Sequence, residues 1–465
     1  MDFIKNILLL NIADDIKKVI DLEDQTETEI QYEIENYIIT PKLSDYFAKF
    51  IHTYKSNITE TGVWISGFYG SGKSYFGKNL GHILANKTVN GTPARDRFIQ
   101  RLHGLKNEGL LENEIRSLTT LNNRVIFLDV AKQHTDKGGL AWTLFRNFLK
   151  SLGFLDNAIG YLEYSLFLND DYTEFLKKAK DFQKAEWDVA KKNIQHPITF
   201  RKILTSYKYS DSEYEDLKHS ADFAIENFDA SKLRDHLVQY FEKVKDERIV
   251  FIFDEASEAI GQRKFTLLDL EGISESLSSL TRRVWTIAIA QEKLDDVIHN
   301  ANVSKNQLVK LTDRFKTQLH LESTEVEYII KNRLLGKNDD GLKLLKDQFT
   351  SKSGQISNVT NLKASFGTVC ESADEFATFY PFHKYQFRLL QNFLFKSNIL
   401  AKTQIAERGM IITVFDVLRN RLKDKKLFHT SSSYDIASEG QLNPPIQLSN
   451  KYDKAKKKLE QAGLD

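Results

Sequence analysis

The stretch that decides the fold runs from Gly62 to Ser74 and reads GVWISGFYGSGKS. Its first half is apolar and rich in β-branched and aromatic side chains, which is typical of a buried strand. Its last eight residues, which begin at Gly67, fit the pattern G-x-x-x-x-G-K-[ST] in full. The residues after Ser74 predict a helix whose N-terminus would face the same anion as the loop. The sequence therefore predicts a strand, a phosphate-binding loop and a helix in direct succession.

Each part of this loop has a chemical reason. Glycines let the backbone turn tightly, so that its N–H groups point at phosphate oxygens. Lys73 supplies a cation to the β- and γ-phosphates, and the Ser74 hydroxyl is a ligand for magnesium. An unrelated glycine-rich turn is the alternative, but the strand before the loop and the helix after it favour a phosphate site. The predicted nucleotide-binding residues are Gly67, Gly70, Ser71, Gly72, Lys73, Ser74 and Tyr75.

Four further short apolar runs predict the rest of a sheet. They are separated by stretches with helical spacing, and several lack polar alternation, as expected for parallel strands that are covered on both faces. We therefore predict an α/β fold of the P-loop NTPase class, with a parallel sheet and helices on both of its faces. The four runs span residues 124–129, 249–254, 284–290 and 317–321.

The spacing of these runs predicts the domain organisation. About 115 residues lie between positions 129 and 249, far more than the dozen or so that a crossover needs. Trp142, Phe145 and Phe148 share one helical face there, which predicts a helical insertion over about residues 140–245. We expect a helical lead-in over 1–50, a P-loop core over 51–322 that carries this insertion, a helical lid over 323–428, and a linker with the start of a further helix over 429–465.

An acidic pair follows the third of these strands. Asp254 ends the apolar run, and Glu255 comes directly after it. An aspartate at the carboxyl end of such a strand can hold magnesium through its water shell. A glutamate next to it can orient and deprotonate an attacking water. Acidic pairs also follow strands without any catalytic role, but the phosphate loop favours the catalytic interpretation, and Glu255 favours hydrolysis over transfer to a small metabolite.

The next strand ends in an amide. Gln291 follows the run Val284–Ala290 directly. A neutral amide beside two carboxylates can fix the lytic water or contact the γ-phosphate, which is the role of a sensor residue. A polar residue that merely closes the strand is the alternative interpretation, and Thr286 is the lesser candidate for the same role.

Three arginines are candidates for contacts with nucleotide phosphates. Arg314 lies before the last strand, where an arginine finger would lie in a head-to-tail assembly, because a guanidinium stays charged and meets phosphate oxygens with a fixed fork. The alternative is a surface arginine, or one paired with Asp313 in the same chain. Arg408 is the preferred candidate for a second sensor from the helical lid, and Arg388 is the other.

Composition bounds the partners and the compartment. The formal net charge is +1, from 65 basic and 64 acidic residues, so nothing global favours nucleic acid. The single cysteine, Cys370, allows no internal disulfide, which is typical of a reducing compartment. The first apolar run, Ile7–Leu10, is too short for a signal peptide, and no stretch reaches the roughly 20 apolar residues of a spanning helix. We expect a cytoplasmic protein without membrane contact.

Several stretches together carry a family resemblance. They are the phosphate loop with its lead-in, the run Val284–Ala290 with Gln291 and Glu292, and the stretches Tyr37–Thr40, Tyr46-Phe47 and Tyr380–Gln386. In these stretches the chain resembles the AAA+ ATPases and, more narrowly, the large P-loop ATPases of BREX phage-exclusion systems, called BrxC or PglY. Lys384 departs from the family pattern, where a proline is expected. Family members are much longer, so the chain resembles their N-terminal ATPase portion or a shortened relative.

The resemblance implies an ATP-driven component of a phage-defence complex that acts on phage DNA. It implies ATP and Mg²⁺ as ligands, roles for Lys73, Ser74, Asp254 and Glu255 in phosphate binding, metal binding and water activation, and other defence subunits as partners. Self-association head to tail and contact with DNA are both possible on this interpretation. Two other classes of function stay open. One is an initiator-type ATPase that loads on or remodels DNA, for which the lysines near residues 423–426 and 451–458 could form a basic patch. The other is a nucleotide-switch signalling scaffold.

Overall fold

The computed structural model describes most of the chain in two compact units. The larger, called here the sheet unit, comprises the described residues of Ile20–Gly67 and Gly72–Leu321, and the smaller, the helical unit, comprises the others. Gly70, Cys370 and most of the basic C-terminal segment lie outside the described residues. The structure describes residues 2–12, 21–56, 58–67, 71–133, 138–184, 186–280, 282–300, 305–321, 326–360, 372–396 and 406–439, with single residues at 454, 457, 458 and 461.

A five-stranded parallel sheet forms the centre of the sheet unit, in the order β4-β5-β6-β1-β7. The mixed α/β architecture and the five strands agree with the prediction from the sequence. A short antiparallel pair, β2 and β3, lies apart from this sheet. The strands are β1 Gly62–Gly67, β2 Thr88–Val89, β3 Thr92–Pro93, β4 Asn122–Asp129, β5 Glu247–Asp254, β6 Val284–Ala290 and β7 Thr317–Leu321.

Both faces of the sheet are covered, because successive residues of its strands belong to two different cores. In β5, Phe251 and Phe253 pack into one core, with helices that include α6, α12 and α14. Val250 and Ile252, which point the other way, pack into the second core with α1 to α5. The apolar runs without polar alternation are explained by this double burial.

The helices of the sheet unit begin with α1, whose first turn is capped by Thr26, and end with α16. They are α1 Glu27–Glu35, α2 Pro41–Lys55, α3 Lys73–Ala85, α4 Ala94–Ile99, α5 Glu108–Arg116, α6 Gly139–Ser151, α7 Ala158–Leu168, α8 Tyr172–Gln183, α9 Trp187–Ala190, α10 His196–Thr205, α11 Asp211–Glu226, α12 Ala230–Lys243, α13 Ala256–Gly261, α14 Leu267–Ser278, α15 Leu294–Asn300 and α16 Lys305–Arg314. Short 3-10 helices span Gln100–Leu102 and Ser117–Thr120.

The segment between β4 and β5 holds α6 to α12, where a helical insertion is predicted. Its proximal helices, α6 and α12, pack on the sheet. Its distal helices, α7 to α11, surround a core of their own in which Phe175, Trp187 and Phe200 are completely or almost completely buried. This core is distinct from the two that cover the sheet.

The helical unit contains the remaining described helices. Lys352 has non-helical backbone angles and marks a kink in α18. None of the described helices is both long and apolar enough to cross a membrane. The helices are α17 Val326–Arg333, α18 Asp339–Thr360, α19 Ala373–Phe379, α20 Lys384–Lys396, α21 Ala406–Val417 and α22 Ser433–Glu439, with a 3-10 turn at Ile4–Asn6 and a π-helix at Leu418–Leu422.

The lead-in predicted over residues 1–50 does not form one unit. Ile4 and Ile7 are fully buried in the core of the helical unit, and the N–H of Ile4 donates to the carbonyl of Lys425 at 3.1 Å. Helices α1 and α2, by contrast, pack into the core of the sheet unit. An apolar run favours burial, but it carries no information about which core buries it.

Candidate active site

The phosphate-loop sequence lies at the carboxyl end of β1, as the motif requires. Gly67 is the last residue of that strand, and α3 begins at Lys73. Gly72 precedes the helix with φ of 83°, a left-handed conformation that glycine adopts without strain. Ser71 lies at a bend just before it. The structure therefore describes the strand, the end of the turn and the helix, while residues 68–70 lie outside the described residues.

Asp254, at the end of β5, lies beside the first turn of α3. The hydroxyl of Ser74 donates a hydrogen bond to the carboxylate of Asp254. Lys73 is close enough for its charge to favour the ionised carboxylate, and both side chains are only 6% exposed. The structure thus brings together the three residues that the sequence assigns to the phosphates and the metal.

Burial dominates the electrostatics of Asp254. The pKa of this carboxyl is raised from 3.8 to about 6, mainly by burial and to a smaller extent by the charge of Glu255. The hydrogen bonds from Ser74 and from the N–H of Glu255, with the charge of Lys73, act in the opposite direction without cancelling the effect of burial. The site therefore contains a negative charge that the protein compensates only in part.

Glu255 has a backbone conformation that is rare for a residue with a side chain. Its φ is 57° and its ψ is 36°, in the left-handed region, and its N–H donates to Oδ1 of Asp254 at 2.8 Å. A non-glycine residue held there costs about 1–3 kcal/mol, and such strain is concentrated at functional sites. This conformation ends β5, and the chain turns between Asp254 and Glu255.

Gln291 contacts Glu255 directly. Its Nε2 donates to Oε2 of Glu255 at 3.1 Å, and its backbone N–H donates to the hydroxyl of Ser257 at 3.1 Å. Strand β6 lies between β1 and β5, so the residue that follows it lies between the phosphate loop and the acidic pair. Thr286, the lesser candidate, is paired with Gly62 at the amino end of β1 and is therefore at the wrong end of the strand.

Arg314 lies far from this site within one chain. Its carbonyl oxygen is 2.4 Å from the position of a Cβ built on Gly62, which is the amino end of β1. The phosphate loop starts at the other end of this strand, roughly 17 Å away at 3.3–3.4 Å per residue. The guanidinium donates to Oε1 of Glu275 at 3.1 Å, so its partner in the chain is Glu275 and not Asp313. Any contact of Arg314 with nucleotide would require a neighbouring copy.

The remaining predicted contacts are resolved only in part. The ring of Tyr75 packs against that of Tyr37, with centroids 4.9 Å apart, so it is held by the connection between α1 and α2. Arg408 lies on α21 of the helical unit, and its side chain lies outside the described residues. Arg388 is an exposed residue of α20 in the same unit. The choice between these arginines as a second sensor stays a prediction.

A buried ion pair beside the site was not predicted. Lys78 of α3 lies 2.8 Å from Oε1 of Glu33 of α1, and both are essentially inaccessible to solvent. No short-range pattern connects these residues, because 45 positions separate them. The two residues lie on different helices, so the sequence of either helix does not indicate the partner.

Comparison with known proteins adds little to this geometry. No protein-family model matches the chain. The solved structures that resemble it include that of C. elegans PCH-2, with 10% sequence identity, a TM-score of 0.23, and coverage of 90% of this chain and 68% of that chain. A likeness of this degree carries no argument about function, which therefore rests on the site itself.

Proposed function

We propose that the sheet unit binds ATP with Mg²⁺ and hydrolyses it. The observation that carries the proposal is the contact between Ser74 and Asp254, with Lys73 beside them at the N-terminus of α3. Backbone N–H groups at a helix N-terminus, a lysine and a hydroxyl-linked carboxylate are the groups that a magnesium triphosphate needs. These residues come from two separate parts of the chain, so their meeting is independent of the motif by which the loop was found.

The residues at this point suit a magnesium ion. Mg²⁺ is usually held by one or two carboxylates together with phosphate oxygens and waters. Among the described residues, no cluster of three or more His, Cys, Asp or Glu side chains could hold a metal alone, which fits an ion that shares its ligands with the nucleotide. Ser74 and Asp254 would hold it, and the partly compensated charge of Asp254 favours a cation. When bound, the ion neutralises charge on the β- and γ-phosphates.

The protein's own groups supply the rest of the chemistry. Lys73 neutralises phosphate charge, and the first turn of α3 directs its N–H groups at the same oxygens. Glu255 takes a proton from the attacking water as general base. Its hydrogen bond from Gln291 fixes the carboxylate and leaves acceptor capacity for that water, because a carboxylate has about four lone-pair sites.

The sequence resemblance suggests a core of the AAA+ type. Strand β6 lies between β5 and β1, and Gln291 follows it at its carboxyl end. The proposal therefore extends to an AAA+ type ATPase with Gln291 as its sensor residue.

The biological setting is proposed from the sequence resemblance alone. On that basis the chain is an ATPase component of a BREX-like phage-defence complex, with other defence subunits as partners and phage DNA as the object of the complex. A head-to-tail assembly would let Arg314 of one copy face the nucleotide of the next. The ATPase rate and the mass in solution, each with and without DNA and nucleotide, test this setting. A strictly monomeric enzyme that is equally active with Arg314→Ala would rule out the finger.

Nucleotide binding tests the central part of the proposal. Titration calorimetry of the full chain with ATP should show binding that requires Mg²⁺ and is lost in Lys73→Ala. Lys192→Ala is the matched control, because Lys192 is an exposed lysine of the helical insertion. Equal affinity in the Lys73 variant and the wild type would refute the phosphate site, and GTP in the same titration reports on base preference.

A further inference from the structure

One side of helix α3 packs closely against the sheet. A Cβ on Gly77 would lie 2.3 Å from Cδ1 of Ile289, and a Cβ on Gly81 would lie 2.3 Å from Cζ of Phe127. Both glycines are thus required for the short distance between helix and sheet. This contact fixes the distance of α3 from the sheet, and the buried side chains of Phe76, Leu80 and Ile83 pack the same helix into the core.

On the adjoining side of α3, two side chains share one buried carboxylate. Lys78 and His82 are one helical turn apart, and both reach Glu33 of α1, at 2.8 Å from Nζ to Oε1 and at 2.7 Å from Nε2 to Oε2. The side chains of Glu33 and Lys78 are 1% and 0% exposed. Burial lowers the pKa of His82, which favours the neutral ring and a donated Nε2–H. Two points of attachment on one face add a directional constraint on the rotation of the helix to this apolar packing.

Lys78 also ties α3 to the segment before α1, residues 21–26. Its ammonium donates to the carbonyl oxygens of Asp21 and Asp24, in addition to Glu33, so all three of its protons are used. Glu23, in the same segment, accepts hydrogen bonds at 3.2 Å from the N–H of Asp129 and at 2.7 Å from the amide of Gln133.

This second connection ends next to the metal-binding acid. Asp129 is the last residue of β4 and is the register partner of Asp254 on β5. The hydrogen bonds of Lys78 and Glu23 therefore run from the phosphate-binding helix, through residues 21–26, to the carboxyl edge of the sheet. They connect the two elements that the nucleotide site must hold at a fixed distance.

Stability alone does not explain this arrangement. A buried ion pair costs so much desolvation that apolar residues of similar volume often stabilise a protein equally well or better. The pair also fixes the orientation of α3, because each hydrogen bond constrains the rotation and register of this helix. The residues whose direction depends on that rotation are Lys73 and Ser74, in the first turn of the same helix.

We infer that Glu33 and Lys78 are positioning residues for nucleotide binding, which fix the orientation of α3 and thereby aim Lys73 and Ser74 at the phosphates and the metal. The inference rests on the proposed function, since it concerns the same site. Neither residue contacts the nucleotide on this account, so the loss of their interaction should weaken binding of substrate and product alike, with a smaller effect on the chemical step.

The test compares Glu33→Gln and the double variant Glu33→Gln/Lys78→Met with the wild type. The double variant removes both charges, so it leaves no unpaired buried charge to unfold the chain. We expect its melting temperature to stay close to that of the wild type. We expect its Kd for Mg-ADP and its KM for ATP to rise about tenfold, with kcat changed less than about threefold. In nucleotide-free protein, the backbone amides of residues 76–79, the first in α3 with acceptors in the same turn, should exchange hydrogen faster than in the wild type.

Glu163→Gln is the matched control. Glu163 is an equally buried carboxylate in the distal helical insertion, where it accepts hydrogen bonds from Leu155, Tyr172 and Trp187. This variant should lower the melting temperature and leave the Kd for Mg-ADP within about twofold of wild type. A double variant that melts like the wild type and binds Mg-ADP equally well would overturn the inference.

Failure of the proposed function would look different. A wild type that binds no Mg-ADP would overturn that function, and with it the role of Glu33 and Lys78 in nucleotide binding. Hydrogen exchange at the start of α3 would still report whether the pair holds the helix, because this measurement needs no nucleotide. Unchanged exchange in both variants would show that α3 is fixed without the pair.

Discussion

Strand β5 carries a buried carboxylate near each of its ends, and the two carboxylates have different interaction partners. Glu247, at the amino end, is 7% exposed, and Asp254, at the carboxyl end, is 6% exposed. Glu247 accepts two hydrogen bonds from the guanidinium of Arg124, at 3.0 and 3.1 Å, and one from the hydroxyl of Tyr240 at 2.6 Å. Asp254 keeps a pKa raised to about 6.

The difference lies in the partners, because burial is the same. A guanidinium that binds a carboxylate with both arms supplies a full opposite charge in a fixed geometry. Asp254 has a hydroxyl and an N–H as hydrogen-bond donors and a lysine whose charge is only one of several influences. The charge of Glu247 is therefore neutralised within the protein, whereas Asp254 retains negative charge that can bind a cation.

Among the variants that test this difference between Asp254 and Glu247, the largest effect is expected for Asp254→Asn. We expect the ATPase rate to fall about 1000-fold, because an amide does not hold the cation as a carboxylate does. The melting temperature in the absence of nucleotide should stay the same or rise, since the variant removes a costly buried charge. Steady-state phosphate release and thermal unfolding measure the two quantities. A variant that remains active, or that unfolds readily, would show that Asp254 does not serve activity at the expense of stability.

The reciprocal change at the amino end should affect stability alone. Glu247→Gln leaves the guanidinium of Arg124 without its counter-charge, and we expect the free energy of unfolding to fall by about 3 kcal/mol. The ATPase rate per folded molecule should be unchanged, because this end of the strand faces away from the phosphate loop. Urea denaturation gives the first quantity and phosphate release the second. Wild-type stability in this variant would mean that the pair contributes no net energy.

The dependence of stability on pH should also separate the two ends. A carboxyl whose pKa is raised from 3.8 to about 6 binds its proton more tightly in the folded protein, so folding loses stability as pH rises from about 4 to 6. A shift of about two units corresponds to at most about 3 kcal/mol. Asp254→Asn should lack this contribution, and its stability relative to the wild type should therefore grow between pH 4 and 7. A difference that is constant over this range would contradict the shifted pKa.

The sequence predicted the elements of the site better than their connections. The five strands were predictable because double burial leaves continuous apolar runs, and Asp254 was expected near Lys73 because parallel strands expose their carboxyl ends at one edge. The left-handed backbone of Glu255 has no sequence signal, since a glutamate does not indicate positive φ. The pairing of Arg314 with Glu275 depends on how α14 and α16 pack, which local patterns do not show.

The same limit applies to Glu33 and Lys78. They lie on two different helices, and the match between one buried anion and one buried cation arises only when α1 packs on α3. The N-terminal residues are a similar case, because their apolar character predicts burial without naming the core that buries them. Contacts between distant segments follow from packing as a whole, and periodicity describes one segment at a time.

The measurement that tests the central claim most directly is ATP retention and phosphate release by Glu255→Gln. Glu258→Gln is the matched control, since Glu258 lies three residues further along and is exposed. We expect Glu255→Gln to bind Mg-ATP with wild-type affinity and to hydrolyse it at least about 100-fold more slowly, while the control behaves like the wild type. Phosphate release at the wild-type rate from Glu255→Gln would contradict the account.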